Sequence, residues 1–150
     1  MAEIRQIVSL MLGGEKYGIN IMDIEEILRM LEITKVPKAP SFVEGIINLR
    51  GQVIPIVDLR KKLGINVPEE NGQTRIVNVN IKGKKIGFVV DSVDEVLRLE
   101  PETIDKAPGS STGPEAYYID GVAKRKNGMI ILLNVHKLFN PNESSALNYL

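Results

Sequence analysis

His136 is the only imidazole in the chain, and there is no cysteine. Thiolate nucleophiles, disulfides, thiolate metal sites and iron–sulfur clusters are therefore not supplied. Hydrolytic chemistry needs a nucleophile, a base and an orienting acid. Ser110, Ser111 and Thr112 offer hydroxyls, but they lie in a Gly/Pro-rich stretch with no catalytic partner nearby in sequence. Carboxylates are plentiful at Asp23, Glu25, Glu26, Asp91, Asp94 and Glu95. Asp91 with Asp94 and Glu95 could hold a hard cation in principle, yet no EF-hand spacing is present. A solvated acidic face is the simpler reading. Phosphate-cradling glycine motifs and a Gly-x-Ser-x-Gly elbow are also missing. No catalytic residue, metal or cofactor is expected.

Basic residues form local clusters: Arg60-Lys61-Lys62, Lys82 with Lys84-Lys85, and Lys124-Arg125-Lys126. Each falls at a strand end or hairpin tip, where solvated charge guards against edge pairing. No aromatic residue is interleaved with them, and Lys+Arg 19 balances Asp+Glu 19. A general nucleic-acid binder is normally basic, so RNA and DNA are not expected partners. What remains is a binding surface, and Asn48-Leu49-Arg50-Gly51 is its best candidate. A guanidinium on a rigid hairpin mount suits recognition of carboxylates or carbonyls on a partner. Spacing alone leaves this reading level with a plain solvated turn arginine.

The elements that must carry these residues are mostly strands. The chain holds 19 Ile and 14 Val against three Phe, and β-branched side chains favour pleated surfaces. Ile4–Leu12 reads as a strand. Hairpins are expected for 46–49 with 53–57, for 75–81 with 86–90, and for 119–124 with 129–133. Pro55 places its strand at an edge or at a bulge, because proline donates nothing to a ladder. Helical signals are short: Met22–Leu28 behind an Asn20 cap, Asp58–Leu63 stopped by Gly64, single turns at 101–104 and 134–139. Residues 106–115 have loop composition and are expected to be mobile.

The chain contains a diverged internal repeat. Residues 16–30 align with 85–99 at an offset of 69, set by Gly18 over Gly87. Residues 44–59 align with 120–135 at an offset of 76. The alignment implies one domain, 1–150, built of two β-rich halves of roughly 1–66 and 73–150, which leaves room for exchange of terminal segments. Halves this small expose too much surface to stand alone, so an apolar seam should join them. A small ligand held in such a seam is the main competing function.

The segment Phe42-Val-Glu-Gly-Ile-Ile-Asn-Leu-Arg-Gly-Gln-Val-Ile-Pro-Ile-Val-Asp-Leu59 resembles the signature hairpin of CheW-type chemotaxis coupling proteins. Tyr17-Gly-Ile-Asn-Ile, Glu26-Ile27, Val36-Pro37, Gly87-Phe-Val-Val-Asp-Ser-Val and Ile130-Ile-Leu-Leu-Asn-Val135 continue the likeness, from about Gln6 to Phe139. The hairpin does not separate a free-standing coupling protein from the homologous regulatory domain of the kinase CheA or the front half of a CheV-type protein. The end of the sequence near Leu150 favours the first. The resemblance implies a mainly β fold of two five-stranded SH3-like barrels on a shared apolar interface. It implies a non-enzymatic adaptor between chemoreceptor cytoplasmic tips and the CheA regulatory domain. By position it assigns receptor contacts to Ile24, Glu26, Asn48, Arg50 and Gly51, with Val89 and Val90 across the groove. Ile21 and Met22 are offered as kinase contacts. No apolar run approaches the roughly 18 residues of a membrane helix, and residues 1–5 lack a signal-peptide layout. The expected location is cytoplasmic, peripheral to membrane-embedded receptor arrays. A diverged family member with another signalling partner is the nearest alternative.

Overall fold

The computed structural model describes residues 5–106 and 117–148. Strands dominate: β1 (Arg5–Leu12), β2 (Glu15–Asn20), β3 (Ile24–Arg29), β4 (Val43–Leu49), β5 (Gln52–Asp58), β6 (Arg75–Ile81), β7 (Lys84–Val90), β8 (Ser92–Leu99), β9 (Ile104–Lys106), β10 (Ile119–Arg125) and β11 (Gly128–Leu133). Two short helices, α1 (Leu59–Leu63) and α2 (Pro141–Asn148), accompany them. The order β8-β1-β2-β11-β10-β9 forms a six-stranded sheet, and β3-β6-β7-β5-β4 a five-stranded one. The fold is mainly β, as the sequence implies. The barrel expectation is compatible with this arrangement, although among the described residues neither sheet closes on itself and one has six strands.

Each sheet draws strands from both parts of the chain. The two sequence offsets reappear in their ladders: β2 meets β11 in parallel at Gly18↔Leu132, and β7 meets β5 in parallel at Gly87↔Ile56. Both glycines answer a packing need. A Cβ on Gly87 would stand 2.6 Å from Ile56 Cδ1 and 2.8 Å from Ile76 Cγ2, and one on Gly18 would strike Ile7.

Alternation along the strands sorts the aliphatic side chains into three cores. Leu10, Ile19, Val57, Val77, Phe88, Val90, Leu133 and Val135 fill the seam between the sheets. Ile7, Leu99, Ala123, Ile130 and Leu132 line the other face of the six-stranded sheet. Ile47, Ile54, Ile56, Ile76 and Val89 do the same for the five-stranded sheet. Each such side chain, fully buried, contributes about 1.5–3 kcal/mol, so the seam is the main tie between the layers.

Several local expectations change. Asn20 does cap a helical turn, its Oδ1 accepting from the Met22 N–H at 2.9 Å, but that 3-10 turn ends at Asp23. Residues 24–29 then extend and pair with β6, because edge pairing and burial of Ile24 and Leu28 outweigh a weak helical preference. Pro55 lies in an interior strand. Ile46 exchanges its backbone hydrogen bonds with Thr34, and β7 pairing starts only at Ile56, so no ladder bond needs a Pro55 donor. Lys84 and Lys85 belong to β7 and not to the turn, which is Lys82-Gly83. Gly64 ends α1 as read from the sequence, and Asp58, read there as the first residue of the turn, is its N-cap. The helix α2 was not expected; its signal is the Asn140–Glu143 capping box, with reciprocal bonds of 2.8 and 2.9 Å. Leu147 of α2 is buried in the seam. Most of the loop read at 106–115, including Ser110, Ser111 and Thr112, lies outside the described residues.

Arg60 is the largest correction among the charged residues. It is not part of a solvated basic cluster but is 4% exposed. Its guanidinium donates to Asp58 at 2.9 and 3.1 Å and to Asp91 at 2.7 Å. Asp91 also accepts from the Gly13 N–H at 2.8 Å, so its oxygens serve this bridge and not a cation site with Asp94 and Glu95.

Candidate functional site

Leu49 pairs with Gln52, leaving Arg50-Gly51 as a two-residue turn. Both residues have positive φ, 51° and 84°, the mirror-type turn that matches the twist of a hairpin. Asn48 Oδ1 accepts from the Gly51 N–H at 3.0 Å and locks it. An arginine in the left-handed region costs about 1–2 kcal/mol; such strain is characteristic of functional positions. The turn therefore mounts the Arg50 guanidinium rigidly at the surface.

Glu26 receives that guanidinium. Arg50 Nη2 lies 2.5 Å from Glu26 Oε1, and Nη1 lies 3.3 Å from Oε2. Glu26 sits on β3, one edge of the five-stranded sheet, whereas Arg50 caps the hairpin at the other edge. The two-pronged pair thus ties the edges of a curled sheet. The pairing of β3 with β6 shifts register between Ile24 and Glu26, and the intervening Glu25 has partners of its own. Asn80 Nδ2 donates to Glu25 Oε1 at 2.9 Å, and Lys85 Nζ stands 3.4 Å from Glu25 Oε2 and 3.1 Å from Gln52 Oε1. The hydrogen bond from Arg50 holds the Glu26 carboxyl below its usual range, aided by the same positive charge. Hydrogen bonding from Asn80, with Lys85 behind it, does so for Glu25. Glu26 raises Arg50 in return.

The structure thus brings Glu26, Asn48, Arg50 and Gly51 onto one exposed corner. Arg50 keeps 69% of its side chain exposed and Glu26 32%. Ile24 borders the corner but is half-buried against the seam. Ile21 is half-buried on the 3-10 turn before β3, and Met22 beside it is 85% exposed. Val89 and Val90 are elsewhere. At 3% and 0% exposed, they pack into the five-stranded core and the seam. The expectation that they line a groove is therefore corrected: the β7 backbone turns both into cores, and neither presents surface to a partner. Glu25 and Lys85 were read from the sequence only as part of an acidic face and of a strand-end basic cluster, and Gln52 and Asn80 were not read as site residues; the contacts that join the four run between strands and leave no local signal. Val53, which pairs with Asn48, and Ile27 leave exposed aliphatic surface nearby.

His136 is engaged at both its ring and its backbone. Its Nε2 meets Asp23 Oδ1 at 2.9 Å and its backbone N–H is capped by Asn134 Oδ1. Among the described residues no three His, Asp or Glu side chains converge as metal ligands. No helix among them is long and apolar enough to cross a membrane.

A corner of this kind on a two-sheet β scaffold belongs to a binding module. The family model for the CheW-like domain matches residues 6–143, and the chain is a member of that family. It is 36% identical over 146 residues to the chemotaxis protein CheW of Treponema pallidum (strain Nichols), covering 95% of this chain and 86% of that protein. It is 33% identical over 137 residues to the chemotaxis protein CheW of Klebsiella aerogenes, covering 91% and 82%. Among solved structures, the scaffolding protein TtCheW from Thermoanaerobacter tengcongensis superposes with a TM-score of 0.85 at 39% identity, covering 94% of this chain and 96% of that one.

Proposed function

We propose that this protein is a non-enzymatic adaptor of chemotaxis signalling that couples the cytoplasmic tips of chemoreceptors to the regulatory domain of the histidine kinase CheA. The single observation that carries the reading is the Arg50–Glu26 pair, mounted on a strained turn at an exposed corner of a CheW-like fold. A receptor tip is a helical hairpin. Its docking needs apolar anchors and a polar group that fixes register. Ile24 supplies apolar surface, Arg50 and Glu26 supply directional donors and acceptors, and Asn48 with Gly51 holds the arginine in place. Val89 and Val90 serve from beneath, as packing. The kinase contact uses Ile21 and the exposed Met22. The chain acts as one domain of two halves, 1–66 and 73–150, with strands exchanged between sheets. It works in the cytoplasm, held at membrane-embedded arrays by its partners.

Such an adaptor changes kinase activity only if its complexes differ in free energy between kinase-on and kinase-off states. Modest contacts suffice in an array, where effective concentration adds strength. Calorimetric titration of the purified chain with a CheA regulatory domain, with RNA as control, tests the reading. Saturable one-to-one binding to the kinase domain and none to RNA is expected. No heat at concentrations of about tens of micromolar would contradict it.

A further inference from the structure

On the side of the molecule built from α1, the β6–β7 turn and the segment 136–141 lies an open cleft of about 960 Å³. Its size is in the range that holds a small molecule. The protein is electrically neutral as a whole, yet this wall is not. Lys61, Lys62, Lys82 and Lys137 line it against the single carboxylate of Glu143. Lys61 is answered from outside by Glu44 at 2.7 Å, and Lys62 by Glu143 at 3.4 Å. Among the described residues, Lys82 and Lys137 have no carboxylate partner. Lys82 is held outward by a positive φ of 53° in the two-residue turn. Aromatic surface accompanies the charge. Tyr117 is 69% exposed with the Lys137 ammonium 5.3 Å from its ring centroid, and Phe139 lies beneath Lys62 at 5.9 Å. His136 reaches the rim but is engaged by Asp23.

Clustered ammonium groups in a concave, partly apolar wall raise the local concentration of anions. Lysine binds phosphate as a point charge, and an exposed tyrosine offers a face on which a flat ring can stack. We infer that this cleft is a binding site for a phosphorylated ligand carrying a planar ring, of the nucleoside polyphosphate class, with Lys82 and Lys137 on the phosphates and Tyr117 under the ring. The site is separate from the Arg50–Glu26 corner, so occupancy would add a third input to an adaptor that already joins two proteins.

The test is calorimetric titration of the full chain with ATP, with adenosine and pyrophosphate as half-ligands and poly-glutamate as a control polyanion. ATP should bind saturably at about micromolar to millimolar Kd, more tightly than either half-ligand. Combined Lys82→Glu and Lys137→Glu exchange should weaken it at least about tenfold; both residues are exposed, and an unchanged melting curve would verify that the fold is kept. Tyr117→Ala should weaken ATP but not pyrophosphate, and Arg50→Ala should leave ATP binding unchanged. No saturable ATP binding, unaltered binding by the double variant, or poly-glutamate binding as tight as ATP would each overturn the proposal.

Discussion

Replacing Arg60 by alanine should destabilise the fold without touching the proposed partner surface. The substitution leaves two carboxylates behind, on Asp58 and Asp91, whose side chains are 4% and 16% exposed. Breaking a buried ion pair from one side costs about 3–5 kcal/mol, because the remaining charge is desolvated and unpaired. Each carboxylate keeps a backbone donor, Asp58 from the Arg60 N–H at 3.0 Å and Asp91 from the Gly13 N–H at 2.8 Å. The loss should therefore fall near the lower end, about 3 kcal/mol. In a domain of this size 1 kcal/mol moves Tm by about 2–4 °C, so a drop of about 6–12 °C is expected. Thermal unfolding followed by circular dichroism reads it directly. The internal repeat supplies the control. His136 takes the position of Arg60, capped by Asn134 as Arg60 is by Asp58, and it pairs with Asp23 across a half-exposed contact. His136→Ala should cost no more than about 1 kcal/mol. Equal melting temperatures for the two variants would refute the argument that burial decides the difference.

Gly87→Ala should destabilise by about 1–3 kcal/mol through overpacking, since the new Cβ would lie 2.6 Å from Ile56 Cδ1; denaturant unfolding measures it, and a neutral result would mean that the parallel β5–β7 contact yields freely. The Glu26 carboxyl should titrate below its ordinary 4.5 by carbon-detected NMR, and Arg50→Ala should return it towards that value. Because the folded-state pKa is depressed, the pair's contribution to stability is present above the ordinary carboxylate range and is lost as pH falls through the folded value. Phe88→Ala should cost about 3–5 kcal/mol, as this ring is fully buried in the seam; a loss under about 1 kcal/mol would show that the seam is not the main tie between the sheets.

Most strands were legible because Ile and Val alternate over short runs broken by Gly-rich turns. The hairpin signals at 50–52, 82–85 and 125–128 located β4–β5, β6–β7 and β10–β11. The segment 22–28 misled because its acidic and aliphatic spacing also suits two helical turns; pairing with β6 settles it, and a partner strand some fifty residues away leaves no local trace. Arg60 looked like surface charge for the same reason: Asp91, 31 positions on, supplies half of its partners. At the candidate site, Arg50 and Asn48 were visible as turn chemistry and Glu26 by family position. Their contact was not visible, because it needs the sheet to curl until its edges meet. Val89 and Val90 show the converse error. An apolar pair beside a motif reads equally well as anchor or core, and only the direction of the β7 side chains decides.

The measurement closest to the central claim is binding of a chemoreceptor cytoplasmic-tip fragment to the full chain and to its Arg50→Ala variant, with the CheA regulatory domain titrated in parallel. The variant should keep its fold by circular dichroism, lose at least about tenfold in receptor affinity and bind the kinase domain as before. Unchanged receptor binding, or equal loss towards both partners, would contradict it.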